Sequence, residues 1–482
     1  MAIKTQTKLT YIFRYCCYIL LLYTFSIIIP LLYSSYFPPT PPDSYTYNQN
    51  QPFDLLSFPS AWNQLAFSSK LPSRRLKIAL FVKRWPEKNR AGGMERHALT
   101  LHLALAKRGH ELHVFTASLS PSSSFFEYSG TNMYFHLSKP VNGFLDQDTA
   151  WEQFLQQNRT VKPFDVVHSE SVGLFHTRAE KLPNLAVSWH GIGYEAIHGD
   201  IIQELLRSPH EGQSQALVNR ISRVVDEVRF FPSYSHHVAT SNHVGDILKR
   251  VYMIPDERVH IILNGVDEEI FKPDPVGALS FRRKFGIPNS NLLVLGLAGR
   301  LVKDKGHPLI FEALKQMFKE NPSFKDNVMI LVAGDGPWGQ RYKDLGGNIR
   351  VLGALDRAQV ASFYNSIDIF LHPTLRDMGL DQTVIEATLC SKPVLVTRVA
   401  SITGSVIIGP EVGYTFSPTV KSLKRALYQV WEDGRYVLHK KGKAARERGM
   451  KLFTATKMAA AYERLFLCIS DNNDCLYQSS TG

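Results

Sequence analysis

The sequence predicts an α/β fold made of two doubly wound parallel sheets. Three observations predict it. A unit of apolar strand, glycine turn, helix and second strand fills residues 76–116. Apolar runs that end in glycine recur at Gly299 and Gly334, each ahead of a helical pattern. At 482 residues and 44% hydrophobic content, the chain can bury the cores of two or three domains. In such sheets ligands sit outside the carboxyl ends of the strands, so the glycine turns are the places to look for binding residues.

The chain opens with Lys4, Lys8 and Arg14 ahead of an apolar run from Tyr15 to Tyr33, and no further Lys or Arg occurs before Lys70. A run of about 19 apolar residues can span a bilayer. The charge bias puts residues 1–14 in the cytosol, makes 15–33 a signal anchor and places the rest across the membrane. A cleaved secretory signal is the alternative, although no Ala-x-Ala site follows the run. Residues 34–73 read as a stem, since Pro38-Pro39-Thr40-Pro41-Pro42 favours extended polyproline. Within it, Phe53 to Phe67 is apolar enough to pack on the body.

The first globular domain is expected over 74–265. Leu76 to Val82 is a buried strand, and the turn at Gly92-Gly93 lets backbone approach an anion at a helix N-terminus. Met94, Ala98, Leu101 and Leu105 give that helix one apolar face, and Gly109 stops it. Further strands are expected at 111–116, 133–137, 164–168, 185–189, 238–240 and 259–263. His190 follows one strand directly and so lies at the ligand edge, whereas His168, the last residue of another, reads as structural. Asn264-Gly265 is a turn and a natural hinge.

The second domain is expected over 266–436, with helices over 437–467 and a tail over 468–482. Its first strand, 292–297, leads to Arg300 and Lys305, and Glu386 lies early in a later helix. Cations suit phosphate and a carboxylate suits sugar hydroxyls, which together suggest a nucleotide sugar. The net charge of +12 is spread along the chain without a nucleic-acid motif, so no nucleic-acid partner is expected. Cys468 and Cys475 flank a polar loop and are either a disulfide or two free thiols. Asn158-Arg159-Thr160 is a glycosylation sequon, usable if the body is lumenal.

Gly92-Gly93-Met94-Glu95-Arg96-His97-Ala98, Gly299-Arg300 with Lys305-Gly306, Gly334-Asp335-Gly336-Pro337, and Glu386-Ala387 before Ser391-Lys392-Pro393-Val394 form a set. Over about 76–466 that set resembles the retaining GT-B glycosyltransferases of family 4. The resemblance implies two Rossmann-like domains facing across a cleft, with the last helices crossing back to the first domain. It implies retaining transfer from a nucleotide sugar, UDP-sugar foremost, to an unknown glycan, lipid or small-molecule acceptor. Catalytic roles then fall on His190, Arg300 and Lys305, and donor binding on Gly92, Gly93, Arg300, Lys305, Gly334, Asp377, Gly379 and Glu386. No metal and no cofactor is expected, because fixed cations and helix N-termini can stabilise the leaving diphosphate. The short tail, single span and stem suggest a type II protein of the Golgi membrane, with the endoplasmic reticulum second.

One position departs from the family pattern. The first glutamate of its Glu-x7-Glu motif is Met378 here, and Asp377 or Asp381 either substitutes for it or caps a helix. Two alternatives therefore stand beside the transferase: a non-catalytic, membrane-anchored nucleotide-sugar binder, and a nucleotide-sugar epimerase of the same fold.

Overall fold

The computed structural model describes residues 61–67, 70–86, 92–118, 131–160, 162–213, 215–288, 291–346, 348–407, 409–471 and 475. The expected cytosolic tail, the span at 15–33 and the stem through residue 60 lie outside them. Among the described residues, no helix is long and apolar enough to cross a membrane.

All the described residues belong to one unit, which holds two parallel sheets. The first contains β1 (Lys77–Arg84), β2 (Glu111–Ala117), β3 (Met133–Ser138), β4 (Val166–Glu170), β5 (Leu185–Trp189), β6 (His236–Ala239) and β7 (Val259–Ile261), in the order β3-β2-β1-β4-β5-β6-β7. The second contains β8 (Leu293–Ala298), β9 (Val328–Ala333), β10 (Ile349–Gly353), β11 (Ile369–His372), β12 (Val394–Thr397) and β13 (Gly413–Phe416), in the order β10-β9-β8-β11-β12-β13. Most of these strands are buried along their length, as strands covered by helices on both faces must be.

Each sheet reverses its winding once, between β1 and β4 and between β8 and β11. Such reversals open a crevice at the carboxyl ends of the two strands. The helix α1 (Gly93–Lys107) follows β1 at the first crevice, and Gly299-Arg300 follows β8 at the second. Further helices that frame the site are α2 (Gly193–Leu205), α3 (Asn242–Arg250), α4 (His307–Glu320) and α5 (Gln382–Leu389).

After β13 come α6 (Val420–Leu452), which is broken at Gly434 (φ 66°), and α7 (Ala455–Ser470). Met458, Tyr462, Leu465 and Phe466 of α7 join the core of the first domain, with Ile78, Leu80 and Leu101. The chain therefore crosses back to the first domain after finishing the second. Val266 pairs with Thr454 where the two crossings meet. Cys468 and Cys475 close a disulfide at the end of α7.

Part of the stretch Phe53 to Phe67, expected to pack on the body, does so over residues 61–65. Ala61 pairs with Ile261, Trp62 and Leu65 are buried, and Asn63 exchanges hydrogen bonds with the backbone of Leu263 (2.6 and 3.1 Å). Residues 61–65 are thus part of the body, because their side chains fill a gap between β7 and α7.

Candidate functional site

The two crevices face one another across a cavity of about 920 Å³. It is lined by Gly92, Gly93, His190, Arg300, Lys305, Gly334, Gly379 and Glu386, so eight residues singled out in the sequence meet at one place.

On the first domain, Gly93 begins α1 and lines the cavity, and a Cβ there would meet nothing within 4 Å among the described residues; the N–H groups of a helix N-terminus favour an anion. His190 lies just past β5, and its Nε2 is 2.5 Å from Oε2 of Glu170. Glu170 ends β4 and is fully buried, and its other oxygen is 3.2 Å from His97 Nδ1 on α1. Burial alone would raise the Glu170 carboxyl, but His97 and His190 outweigh it and hold the group well below the usual range. The carboxylate fixes the His190 ring and leaves Nδ1 as the nitrogen available to a ligand. His168 sits deeper, bonded to His102 (3.0 Å) and Ser188 (2.8 Å), in agreement with a structural role.

On the second domain, Arg300 is exposed at the cavity, and its guanidinium has no partner among the described residues. Lys305 Nζ lies 2.6 Å from Asp381 Oδ2. Asp381 also caps α5 by accepting from Thr383 N at 3.0 Å. Burial would raise Asp381, yet Lys305 and His372 hold it well below the usual carboxylate range. Gly334 (φ 137°) lets the turns after β8 and β9 touch, since a Cβ there would stand 1.8 Å from the Gly299 carbonyl oxygen.

Glu386 joins the two walls. Its Oε1 accepts from Arg96 Nη1 of α1 at 2.6 Å and its Oε2 from the Tyr364 hydroxyl at 3.0 Å. Burial pushes its carboxyl up, and Arg96 opposes that.

One expectation is corrected. Asp377 does not line the cavity; its oxygens accept from Ala400 N (3.1 Å) and Ser401 N (3.0 Å), so it caps the short helix Ala400–Thr403. Met378 takes no acid's place, because it packs on Gly191 and its sulfur lies 2.7 Å from Arg376 Nη2. Asp146-Gln147-Asp148 is an Asp-x-Asp triplet, the pattern a metal-dependent alternative would use. It serves the start of the helix Gln147–Thr160, with Asp146 accepting from Thr149 and Asp148 paired with Arg178, and it is absent from the cavity lining. Asn158 is also remote, in the last turn of that helix, with Oδ1 accepting from Phe164 N at 2.9 Å.

Two family models match consecutive stretches of the chain: Glycosyltransferase Family 4 over residues 91–270 and Glycosyl transferases group 1 over residues 293–433. The chain is a glycosyltransferase. It moves a sugar from a nucleotide-sugar donor. A D-inositol 3-phosphate glycosyltransferase of Stackebrandtia nassauensis is 24% identical over 66% of the transferase and 74% of its own length. One component of the Homo sapiens phosphatidylinositol N-acetylglucosaminyltransferase is 25% identical over 70% of the transferase and 66% of its own length. Among solved structures, sucrose-phosphate synthase from Thermosynechococcus elongatus superposes with a TM-score of 0.63 at 18% identity, covering 83% of the transferase and 100% of that chain. Anabaena HepE in complex with UDP and glucose superposes with a TM-score of 0.59 at 17% identity, covering 80% and 97%. These superpositions give the transferase its GT-B fold.

Glu170, Arg96 and Tyr364 were not singled out in the sequence. Glu170 carried a signal, because an acid at the carboxyl end of a strand next to a winding reversal stands where ligands bind. Arg96 stood in the Gly92 to Ala98 run without a role of its own and Tyr364 carried no signal, since only the folded chain brings the two to Glu386.

Proposed function

We propose that this enzyme transfers a sugar from a UDP-sugar with retention of anomeric configuration, using no metal at the reacting atoms. The observation that carries the reading is Arg300, a guanidinium without a partner among the described residues, facing the same cavity as the N-terminus of α1. As the bond from the anomeric carbon to the diphosphate breaks, Arg300 and Lys305 take up the charge developing on the leaving oxygens. The acceptor hydroxyl forms the new bond on the same face and gives its proton to the departing diphosphate. Atoms and charge then balance without a protein nucleophile. His190, held by Glu170, orients the sugar or its phosphate, and the ribose hydroxyls replace Arg96 on Glu386.

Uridine is favoured because HepE, of the same fold, is described with UDP and glucose. The names of the relatives point to inositol-type acceptors, either a soluble inositol phosphate or a phosphatidylinositol lipid. The apolar run at 15–33 and the Pro-rich stem favour a single-pass type II protein of the Golgi membrane, with the endoplasmic reticulum second. Asn158 would then be glycosylated.

The test is thermal melting against UDP, GDP and ADP and their sugars, without added metal. A ligand at about a hundred times its Kd adds roughly 2.7 kcal/mol of stability. A shift confined to UDP ligands, followed by turnover with inositol acceptors, supports the reading. A shift confined to GDP or ADP ligands overturns the choice of base, and inversion at the anomeric carbon overturns the mechanism.

A further inference from the structure

A second group of ionisable side chains lies behind the donor loop, and transfer does not use it. Glu195 comes from α2 and His243 from α3, both on the first domain; Asp377 comes from the loop after β11 on the second. One ligand atom from each lies within 4.8 Å of the others. His243 Nε2 is 3.6 Å from Asp377 Oδ2. His198 of α2 brings Nδ1 to 3.7 Å from the same oxygen, on the solvent side.

The two carboxylates are almost completely buried, at 1% exposure for Glu195 and 2% for Asp377. Buried carboxylates side by side repel one another and lose hydration unless something compensates. Asp377 is compensated by its two backbone donors. Glu195 is compensated on one oxygen, where Oε1 accepts from Gly379 N at 2.7 Å. Its Oε2 is buried and has no hydrogen-bond partner among the described residues. That orphan oxygen, beside an imidazole and a second carboxylate, is what a missing ligand leaves behind.

We propose that Glu195, His243 and Asp377 bind a divalent transition cation of the zinc type. A mixed imidazole and carboxylate set suits Zn²⁺, whereas Mg²⁺ and Ca²⁺ prefer oxygen alone. The ligands come from both domains, so the cation ties the first domain to the loop 374–381. Met378 and Gly379 of that loop line the donor cavity, and Glu195 already holds Gly379. The cation thus fixes the position of the loop without touching the reacting atoms. Its role is structural and is compatible with transfer that needs no metal at the diphosphate.

The experiment uses the whole protein, stripped with a chelator, dialysed and titrated with Zn²⁺ by calorimetry, and then melted with and without Zn²⁺. One equivalent is expected to bind and to raise Tm. His243→Ala is expected to weaken binding at least about tenfold, as loss of a ligand should, with an unchanged far-ultraviolet spectrum and no Zn²⁺-dependent rise in Tm. Glu195→Gln, which keeps shape and removes the charge, is expected to behave likewise. His190→Ala tests the neighbouring His97, Glu170 and His190 cluster, whose ligand atoms also lie within 4.8 Å of one another. If His190→Ala abolishes binding and His243→Ala spares it, the site is misassigned. Failure of the stripped protein to take up Zn²⁺, or Mg²⁺ binding as tightly, overturns the proposal.

Discussion

On the first domain's wall of the cleft, His190 rests on a carboxylate with no solvent exposure, and that carboxylate rests in turn on a second buried histidine. On the second domain's wall, Lys305 is held by Asp381, Glu386 reaches across to Arg96, and Arg300 faces the cavity alone among the described residues. The groups of the first wall are already paired with one another in the absence of a donor. On the proposed mechanism the second is a set of exchangeable contacts, in which phosphate competes for Lys305 and ribose replaces Arg96. Stabilisation of a developing charge costs least when the stabilising groups are already oriented. On the proposed mechanism, orientation therefore falls to the first wall and charge to the second.

Arg300→Ala should break the second wall with the largest effect. Loss of one donor to a developing oxyanion typically costs 10²–10³ in kcat, and that range is expected here. Arg300 is exposed and its side chain makes no hydrogen bond or ion pair among the described residues, so Tm should stay within about 1 °C, as surface changes away from such features usually do. Wild-type kcat in this variant would remove Arg300 from the mechanism.

Lys305→Ala should cost somewhat less in turnover and should also change the response to acid. Asp381 has its folded pKa depressed, so its contribution to stability is fully present above the unfolded value of about 3.9 and is lost as pH falls through the folded value. Removing Lys305 removes much of the depression. The stability gap between wild type and variant should therefore be widest above pH about 4 and should narrow as pH falls below it. Denaturant titrations at several pH values measure this, and a gap that widens on acidification would contradict the pairing.

Glu170→Gln tests the first wall. The substitution keeps the shape and removes the charge that fixes the His190 tautomer. We expect kcat to fall about 10- to 100-fold, in the range seen when a group that orients an imidazole is lost, with a changed pH profile for kcat/KM. The nucleotide alone should bind nearly as before, because diphosphate and ribose are held by the other wall. An equal loss of UDP affinity would show that the division of labour between the walls is wrong.

The two walls were also unequally legible in the sequence. Arg300, Lys305 and Glu386 stood out because their contacts follow short motifs set on strand ends and helix starts. Glu170 was missed by two residues: the strand was expected to stop at His168, and β4 runs on to Glu170. Placing the strand end correctly would have put an acid beside His190. Asp377 was misread for a different reason. Its partners are backbone amides of residues 400 and 401, more than twenty positions away, and no local pattern announces a cap on a distant helix. The sheets and their glycine turns could be read from periodicity, whereas the Arg96–Glu386 pair requires both domains to be folded and facing.

The smallest effect is expected from Tyr364→Phe, which alters one hydrogen bond on the exchangeable wall and no charge. Tyr364 is fully buried, and burial pushes its phenol well above the usual range, so it remains a donor to Glu386 at all working pH values. The substitution keeps the ring that packs near Phe363 and Phe370 and deletes that donor. Glu386 then loses one of two partners and is less firmly aimed at the ribose. An intramolecular hydrogen bond is worth about 1 kcal/mol net, which corresponds to about fivefold in affinity. The donor KM should rise by about that factor with kcat changed less than about twofold, because the ribose is bound equally in ground and transition states. If kcat fell and KM held, Glu386 would be acting on the transferred sugar and the assignment of ribose to this residue would have to be given up.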